Sequence, residues 1–361
     1  MLIRIAVCDP DSMYLDRLQN FFERNYSDKI EMVSFTNASL FRSYLENEIV
    51  DVILVSSQET GLEELGRYGN VAVLTENGEE AGNGFLTIEK YKKPALLYKD
   101  ILNVYAESAS LPSRRADGSE KSGNLILVTS FSGGTGVSTV SAAAARALAV
   151  SGEKTICVDY EPFGGSSVFF NGEGNYGFDN VLYSLKGNSS DLRLKLESSV
   201  RTDACGADFY YEASKAAYML EVNGEEKRDL INQIRGMKKY KSIVLDWQMA
   251  AFEKFQDVLK MFADADRIIL VNDGSMTANL KYERAMDTLR TLMSKEDFRS
   301  FVYKTVLLYN KFSSSKSSQN LNDPVVRVLG SIPPIKHATS KEIMRWISDN
   351  YGKLFLNMNL K

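Results

Sequence analysis

One histidine and three cysteines are too few to build a zinc site or a disulfide framework: His337 stands alone, and Cys8, Cys157 and Cys205 share no C-x-x-C spacing. The thiols are expected as buried or half-buried free cysteines. Neither sign of charge dominates, with 43 Lys and Arg against 47 Asp and Glu for a net charge of -4. That balance excludes a sequence-independent grip on nucleic acid carried by overall charge, so no nucleic-acid partner is expected. No apolar run approaches the roughly 20 residues that cross a bilayer. Met1-Leu2-Ile3-Arg4-Ile5 opens a strand rather than a signal peptide, and the expectation is a cytoplasmic protein with at most indirect membrane association. No internal repeat is visible, and one short biased tract, Ser313 to Ser318, is expected as a mobile loop.

What remains is a chain of 361 residues, 44% hydrophobic and 25% charged, which suits a globular protein with two cores. Residues 1–107 alternate strand-like and helix-like stretches: Ile3 to Val7, a helix from Ser12 to Asn25, Ile30 to Phe35, a helix through Ser39 to Glu46, Val50 to Val55, Val71 to Leu74 and Gly84 to Ile88. Such alternation predicts a parallel sheet covered on both faces, with function at the carboxyl ends of the strands. Those ends carry Cys8-Asp9, Ser56, Thr75 and Lys93-Pro94. The polar stretch 108–123 reads as a linker. Residues 124–361 resume the alternation, with strands ending at Asp159, Asp246, Val271 and Tyr309 and a closing helix from Ser340 to Tyr351. The fold class is α/β, with two doubly wound parallel-sheet domains.

The stretch that organises the second domain is Leu125 to Ala149, an apolar run, a loop rich in Gly, Ser and Thr, and an alanine-rich segment. Strand, glycine loop and helix in that order build a phosphate cradle, because glycines let backbone N–H groups converge on an anion at a helix N-terminus. The loop reads Ser132-Gly133-Gly134-Thr135-Gly136-Val137-Ser138-Thr139. It resembles the deviant phosphate loop K-G-G-x-G-K-[ST]-T of the MinD/ParA family, with Ser132 and Val137 where that family has lysines. Asp159-Tyr160-Glu161 is similar to the family's D-x-D, Ile243 to Asp246 to its Walker B strand, and Asn310 and Gly330-Ser331-Ile332-Pro333 to its adenine-binding segments. The resemblance implies ATP or ADP with Mg2+ as ligands, Ser138, Asp159 and Asp246 around the metal, and Asn310, Ile332 and Pro333 around the base.

Residues 1–107 look like a response-regulator receiver domain, in which Asp9, Ser56, Thr75 and Lys93 fall on its functional positions. Ser56 takes the place of the phosphorylatable aspartate. Asp51 cannot replace it, lying at the strand entrance about 16 Å away at roughly 3.3 Å per residue. Without an aspartate at the strand exit there is no acyl-phosphate nucleophile, so the site is expected to be vestigial.

An atypical receiver domain joined to a MinD/ParA-like domain is the arrangement of the TadZ/CpaE family of pilus-assembly proteins. That resemblance implies a homodimer that marks a cell pole or another site and recruits Tad (Flp) pilus secretion components, including the secretion ATPase. Losing a charged hydrogen bond costs about 1.5–3 kcal/mol, which nucleotide binding survives. Hydrolysis depends more steeply on transition-state charge, where one cation supplies a factor of about 10³–10⁵. No replacement cation stands beside the loop in sequence, so little or no ATPase activity is expected. The alternatives are a working MinD/ParA-type ATPase and a nucleotide-free scaffold or signalling regulator acting through protein contacts.

Overall fold

In a computed structural model, residues 2–59, 61–76, 85–108, 122–187, 192–248, 254–313, 318–321 and 324–359 are described. Most of the expected linker, and the middle of the Ser313 to Ser318 tract, lie outside the described residues. The chain divides into two units, Met1–Ser113 with Lys186–Ser199, and Arg114–Leu185 with Val200–Lys361.

The first unit runs β1 (Ile3–Cys8), α1 (Ser12–Asn25), β2 (Ile30–Phe35), α2 (Ala38–Asn47), β3 (Val52–Ser56), α3 (Leu62–Leu65), β4 (Asn70–Thr75), β5 (Leu86–Glu89) and α4 (Pro94–Ser108). Its sheet has the order β2-β1-β3-β4-β5 with every pairing parallel. The central strands are mostly buried on both faces, which is why β3, β4 and the part of β1 after Arg4 read as near-continuous apolar runs instead of alternating. Helix α1 begins where the Asp11 side chain accepts from the Tyr14 N–H, and its buried stripe is Leu15, Leu18 and Phe22. Each of those side chains contributes about 1.5–3 kcal/mol of burial.

The second unit contains β6 (Asn124–Thr129), α5 (Val137–Val150), β7 (Thr155–Asp159) and α6 (Phe178–Gly187). The chain then leaves it for α7 (Leu192–Ser199), which belongs to the first unit. It returns for β8 (Arg201–Thr202), β9 (Asp208–Phe209), α8 (Ala216–Leu220), α9 (Gly224–Gly236), β10 (Ser242–Asp246), α10 (Phe255–Asp264), β11 (Arg267–Asn272), α11 (Met276–Leu292), α12 (Lys295–Lys304), β12 (Thr305–Tyr309), β13 (Arg327–Ser331) and α13 (Ser340–Leu356). The sheet order is β13-β12-β11-β6-β10-β7-β9-β8, parallel except for the short antiparallel β8/β9 edge, which the apolar pattern does not announce.

Helix α5 explains the alanine-rich sequence. Ala142 to Ala145 are all buried, and α5 packs between the sheet and α13. A Cβ on Gly352 of α13 would come within 3.2 Å of the Ala147 Cβ, so small residues on both helices permit the close approach. The loop that starts α5 is thereby mounted on a rigid base.

The assignment of residues 186–199 to the second domain is corrected by side-chain contacts. In α7, Lys195 is buried and its ammonium donates to Asn103 Oδ1 at 2.5 Å, while Glu197 accepts from Lys29 Nζ at 2.5 Å and from the Tyr98 hydroxyl at 3.0 Å. Tyr98 stacks on Tyr26 at 3.9 Å between centroids. Helix α7 thus covers α4, although it is separated from it by a stretch of the second unit's sequence.

Candidate functional sites

Parallel sheets gather function at their carboxyl ends, and each unit has polar groups there. In the first unit β1 ends at Cys8-Asp9, β4 at Thr75 and β5 at Glu89, followed by Lys90. Asp9 is 1% exposed and its Oδ1 accepts from Lys90 Nζ at 2.8 Å, with the lysine side chain 5% exposed. The ammonium also lies 4.9 Å from the Tyr14 ring centroid and 5.2 Å from that of Tyr91. Burial works against the charged lysine, yet the Asp9 bond and charge hold its pKa above the ordinary value. Lys93, the lysine expected at this edge, is exposed ahead of α4, with its carbonyl accepting from the Leu96 and Leu97 N–H groups. Strand β5 closes at Glu89, so the residue at its exit is Lys90. The sequence signal for it was the strand end itself, outweighed by the Lys-Pro pair.

Ser56 is partly buried at the β3 exit, where its hydroxyl accepts from the Gln58 N–H. Thr75 is buried with its hydroxyl unpartnered, as is Asp9 Oδ2. Burial pushes the Cys8 thiol up to about 11, so it stays protonated. Beside a protonated thiol, Asp9 has a built-in counter-ion, Lys90, whose ammonium also lies 3.8 Å from the Asp11 carboxylate.

In the second unit β6 runs out at Thr129 into the glycine loop, and Gly136, at φ 90°, sits immediately before α5. A Cβ on Gly136 would collide with the Asn310 amide nitrogen, whereas a Cβ on Gly133 or Gly134 would meet nothing within 4 Å. The loop is therefore clamped at its last glycine and open at its first two. The clamp is Asn310, buried at the β12 exit, whose amide donates to the Thr135 carbonyl at 2.8 Å. The next residue, Lys311, places its ammonium 2.9 Å from the Gly134 carbonyl. A cation does stand beside the loop, contrary to the expectation from sequence. It comes 177 positions along the chain, which no local motif reveals.

The acids lie on the other side of β6. Asp246 of β10 pairs in register with both Val128 of β6 and Asp159 of β7. Asp246 is 3% exposed and its Oδ1 has no hydrogen-bond partner. Burial, then the charge of Asp159, raises its pKa well above the ordinary range, while hydrogen bonds from Ser138 and Ser141 pull the other way. Burial also pushes Asp159 up to about 7, reinforced by Glu161 and Glu212 and opposed by the Glu161 N–H. Gly164 allows that burial, since a Cβ there would strike the Asp159 carboxylate as the following turn folds over it. Ser138 Oγ lies 3.4 Å from Glu161 Oε2, so Ser138, Asp159, Glu161 and Asp246 share one region at the start of α5.

Among the described residues no group of three or more His, Cys, Asp or Glu is arranged to hold a metal with protein ligands alone. Magnesium is commonly bound through one or two carboxylates, waters and substrate phosphates. The orphaned Asp246 oxygen and the Ser138 hydroxyl fit that mode.

The residues expected around the base divide. Pro333 is exposed, while Ile332 is fully buried in the core of the second unit, with its N–H on the Tyr309 carbonyl. The Ile332 side chain thus belongs to the core of the second unit. Ser132 and Thr139 are partly exposed, and Val137 is buried at the first turn of α5.

A wide cleft of about 750 Å³ lies elsewhere in this unit, lined by Lys154, Lys239, Lys241 and Arg267 at the amino ends of the strands. Two of its lysines, Lys154 and Lys239, each lie 3.0 Å from buried Asp208, and Lys241 pairs with Glu153. It faces the wrong edge of the sheet for the loop chemistry.

Residues 1–106 match the family model described as TadZ-like, receiver domain. Among solved structures, a ParA family ATPase from Chlorobium tepidum TLS is similar at 16% identity and a TM-score of 0.51, covering 66% of this chain and 100% of that one. The septum site-determining protein MinD complexed with Mg-ADP from Pyrococcus horikoshii OT3 gives 17% identity, a TM-score of 0.49 and coverage of 66% and 96%. At such identities the ParA likeness speaks for the fold. No curated protein matches the chain. Among the described residues no helix is long and apolar enough to cross a membrane.

Proposed function

We propose that this chain is a positioning and assembly factor of Tad pilus biogenesis, organised by a bound Mg-ATP or Mg-ADP that it hydrolyses slowly or not at all. The observation that carries the reading is a glycine loop open at Gly133 and Gly134, set beside buried Asp246 and partly buried Asp159, neither of which forms an ion pair among the described residues. Backbone N–H groups of the loop hold the phosphates, and Ser138 and Asp246 orient the metal. Magnesium supplies the positive charge that lets Asp246 and Asp159 ionise. The TadZ-like receiver domain supports the pilus assignment, and its lack of an aspartate at Ser56 supports a docking role over phosphorelay. In this reading the chain acts as a homodimer at a cell pole or similar site, and its partners are Tad secretion components including the secretion ATPase.

The test is calorimetry of Mg-ATP and Mg-ADP on the full chain and on Gly133→Glu. Residue 133 has open space around it and no left-handed backbone, so the variant folds and brings a carboxylate to the loop mouth. Binding lost in the variant supports the reading; no binding by the unaltered chain leaves a scaffold. Turnover at rates typical of ParA-like enzymes would favour the working ATPase.

A further inference from the structure

We infer that Lys311 is the phosphate-binding cation of this site, supplied from the β12 exit in place of the lysines absent at Ser132 and Val137. The inference rests on the nucleotide-binding reading above and concerns which residue meets the phosphates beyond the first.

Lys311 is held where such a cation is needed. Asn310 and Lys311 engage the adjacent carbonyls of Thr135 and Gly134, at 2.8 and 2.9 Å. The lysine stem crosses the last loop glycine, its Cε 3.5 Å from where a Cβ on Gly136 would be. The backbone on either side is pinned, with the Asn310 N–H on the Asn272 carbonyl and the Phe312 N–H on the Ile332 carbonyl. Between those anchors Lys311 adopts a left-handed φ of 58°, a conformation a non-glycine residue takes at a cost. The ammonium thus hangs from a strand end and not from a free loop, and its reach to the loop is set by the sheet.

Its present partner is a neutral carbonyl, and among the described residues it forms no ion pair. A phosphate oxygen arriving in the open part of the loop offers a stronger, charge-assisted bond to the same three-proton donor. The need for it is electrostatic. Asp159, Glu161 and Asp246 line the opposite side, and a polyphosphate entering there meets three acids. Magnesium answers the acids on that side; Lys311 answers the phosphates on its own.

The experiment compares Mg-ATP affinity, by calorimetry, of the full-length chain with Lys311→Met, Lys311→Gln and Lys311→Arg, alongside the melting temperature of each ligand-free protein. A phosphate cation predicts that Met and Gln weaken binding about ten- to a hundredfold, that Arg keeps most of it, and that the ligand-free melting temperatures agree. A loop brace predicts that Met and Gln lower the ligand-free melting temperature together with affinity, and that result overturns the inference. Unchanged binding in Met overturns it too, while leaving the nucleotide reading intact. No binding by the unaltered chain sinks the nucleotide reading and this inference with it.

Discussion

The two carboxyl edges answer the same problem in opposite ways. Each buries an aspartate at the end of a central strand, Asp9 after β1 and Asp246 after β10. Asp9 has Lys90 at 2.8 Å, buried with it, so the charge is neutralised inside the fold. Asp246 has Asp159 for a neighbour, and both are pushed toward the protonated form. A buried acid with its own lysine is finished as a structure, whereas a buried acid beside a second, partly buried one is destabilising in its charged form until a cation arrives. The comparison teaches that the first edge has become part of the scaffold and the second has kept a demand for a ligand.

The largest expected effect breaks the finished edge. Lys90→Met strands Asp9 in the core and should cost about 3–5 kcal/mol of the stability of the first unit, read by denaturant unfolding of the full chain. The double variant Asp9→Asn/Lys90→Met should recover most of that loss. A single variant as stable as the parent would show that the pair contributes little.

Next comes the unfinished edge, where the sign of the pH dependence is informative. Asp159 has a folded pKa of about 7 against an ordinary 3.8, so between those values the folded chain holds more protons than the unfolded one. Its contribution is therefore favourable in acid and is lost as pH rises from about 4 to about 7. Asp246 shifts in the same direction. Asp246→Asn should raise ligand-free stability at pH 8 and weaken the magnesium dependence of ATP binding. Thermal melts at pH 5 and pH 8 check the first part, and titrations with and without magnesium the second. A variant less stable than the parent at pH 8 would mean that Asp246 is structurally satisfied.

Gly133→Glu should lower ATP affinity about tenfold or more with no change in melting temperature, because the side chain enters open space. An altered melting temperature would show that the loop mouth is not open. The smallest effect is expected at α7: Glu197 and Lys29 are partly exposed, at 23% and 41%, so Glu197→Gln should cost only about 0.5–1 kcal/mol. A cost several times larger would make α7 a principal support of the first unit.

Much of this was legible from residues alone. Helix α1 spans the predicted Ser12 to Asn25, with Asp11 as its cap, and β2 spans Ile30 to Phe35 as the apolar run indicates. The exits of β7 and β10 fall at Asp159 and Asp246, where the apolar runs of the sequence end. The lysine that pairs with Asp9 lies three positions before the expected Lys93. Lys90 and Lys93 carry the same side chain, and what separates them is that β5 ends at Glu89.

The sequence by itself determined the order of strands and helices, the glycine loop before an alanine-rich helix, the acids at two strand ends and the absence of a phosphoacceptor at Ser56. These are local properties, set by hydrophobic period and turn chemistry over a few residues. Only the tertiary structure decided that Lys90 neutralises Asp9, that Ile332 belongs to the core, that α7 joins the first unit and that Lys311 lies on the loop. Each joins groups tens to hundreds of positions apart, or turns on which way a side chain faces. Such contacts arise when strands pair side by side, and the order of pairing in a sheet is not the order of the chain.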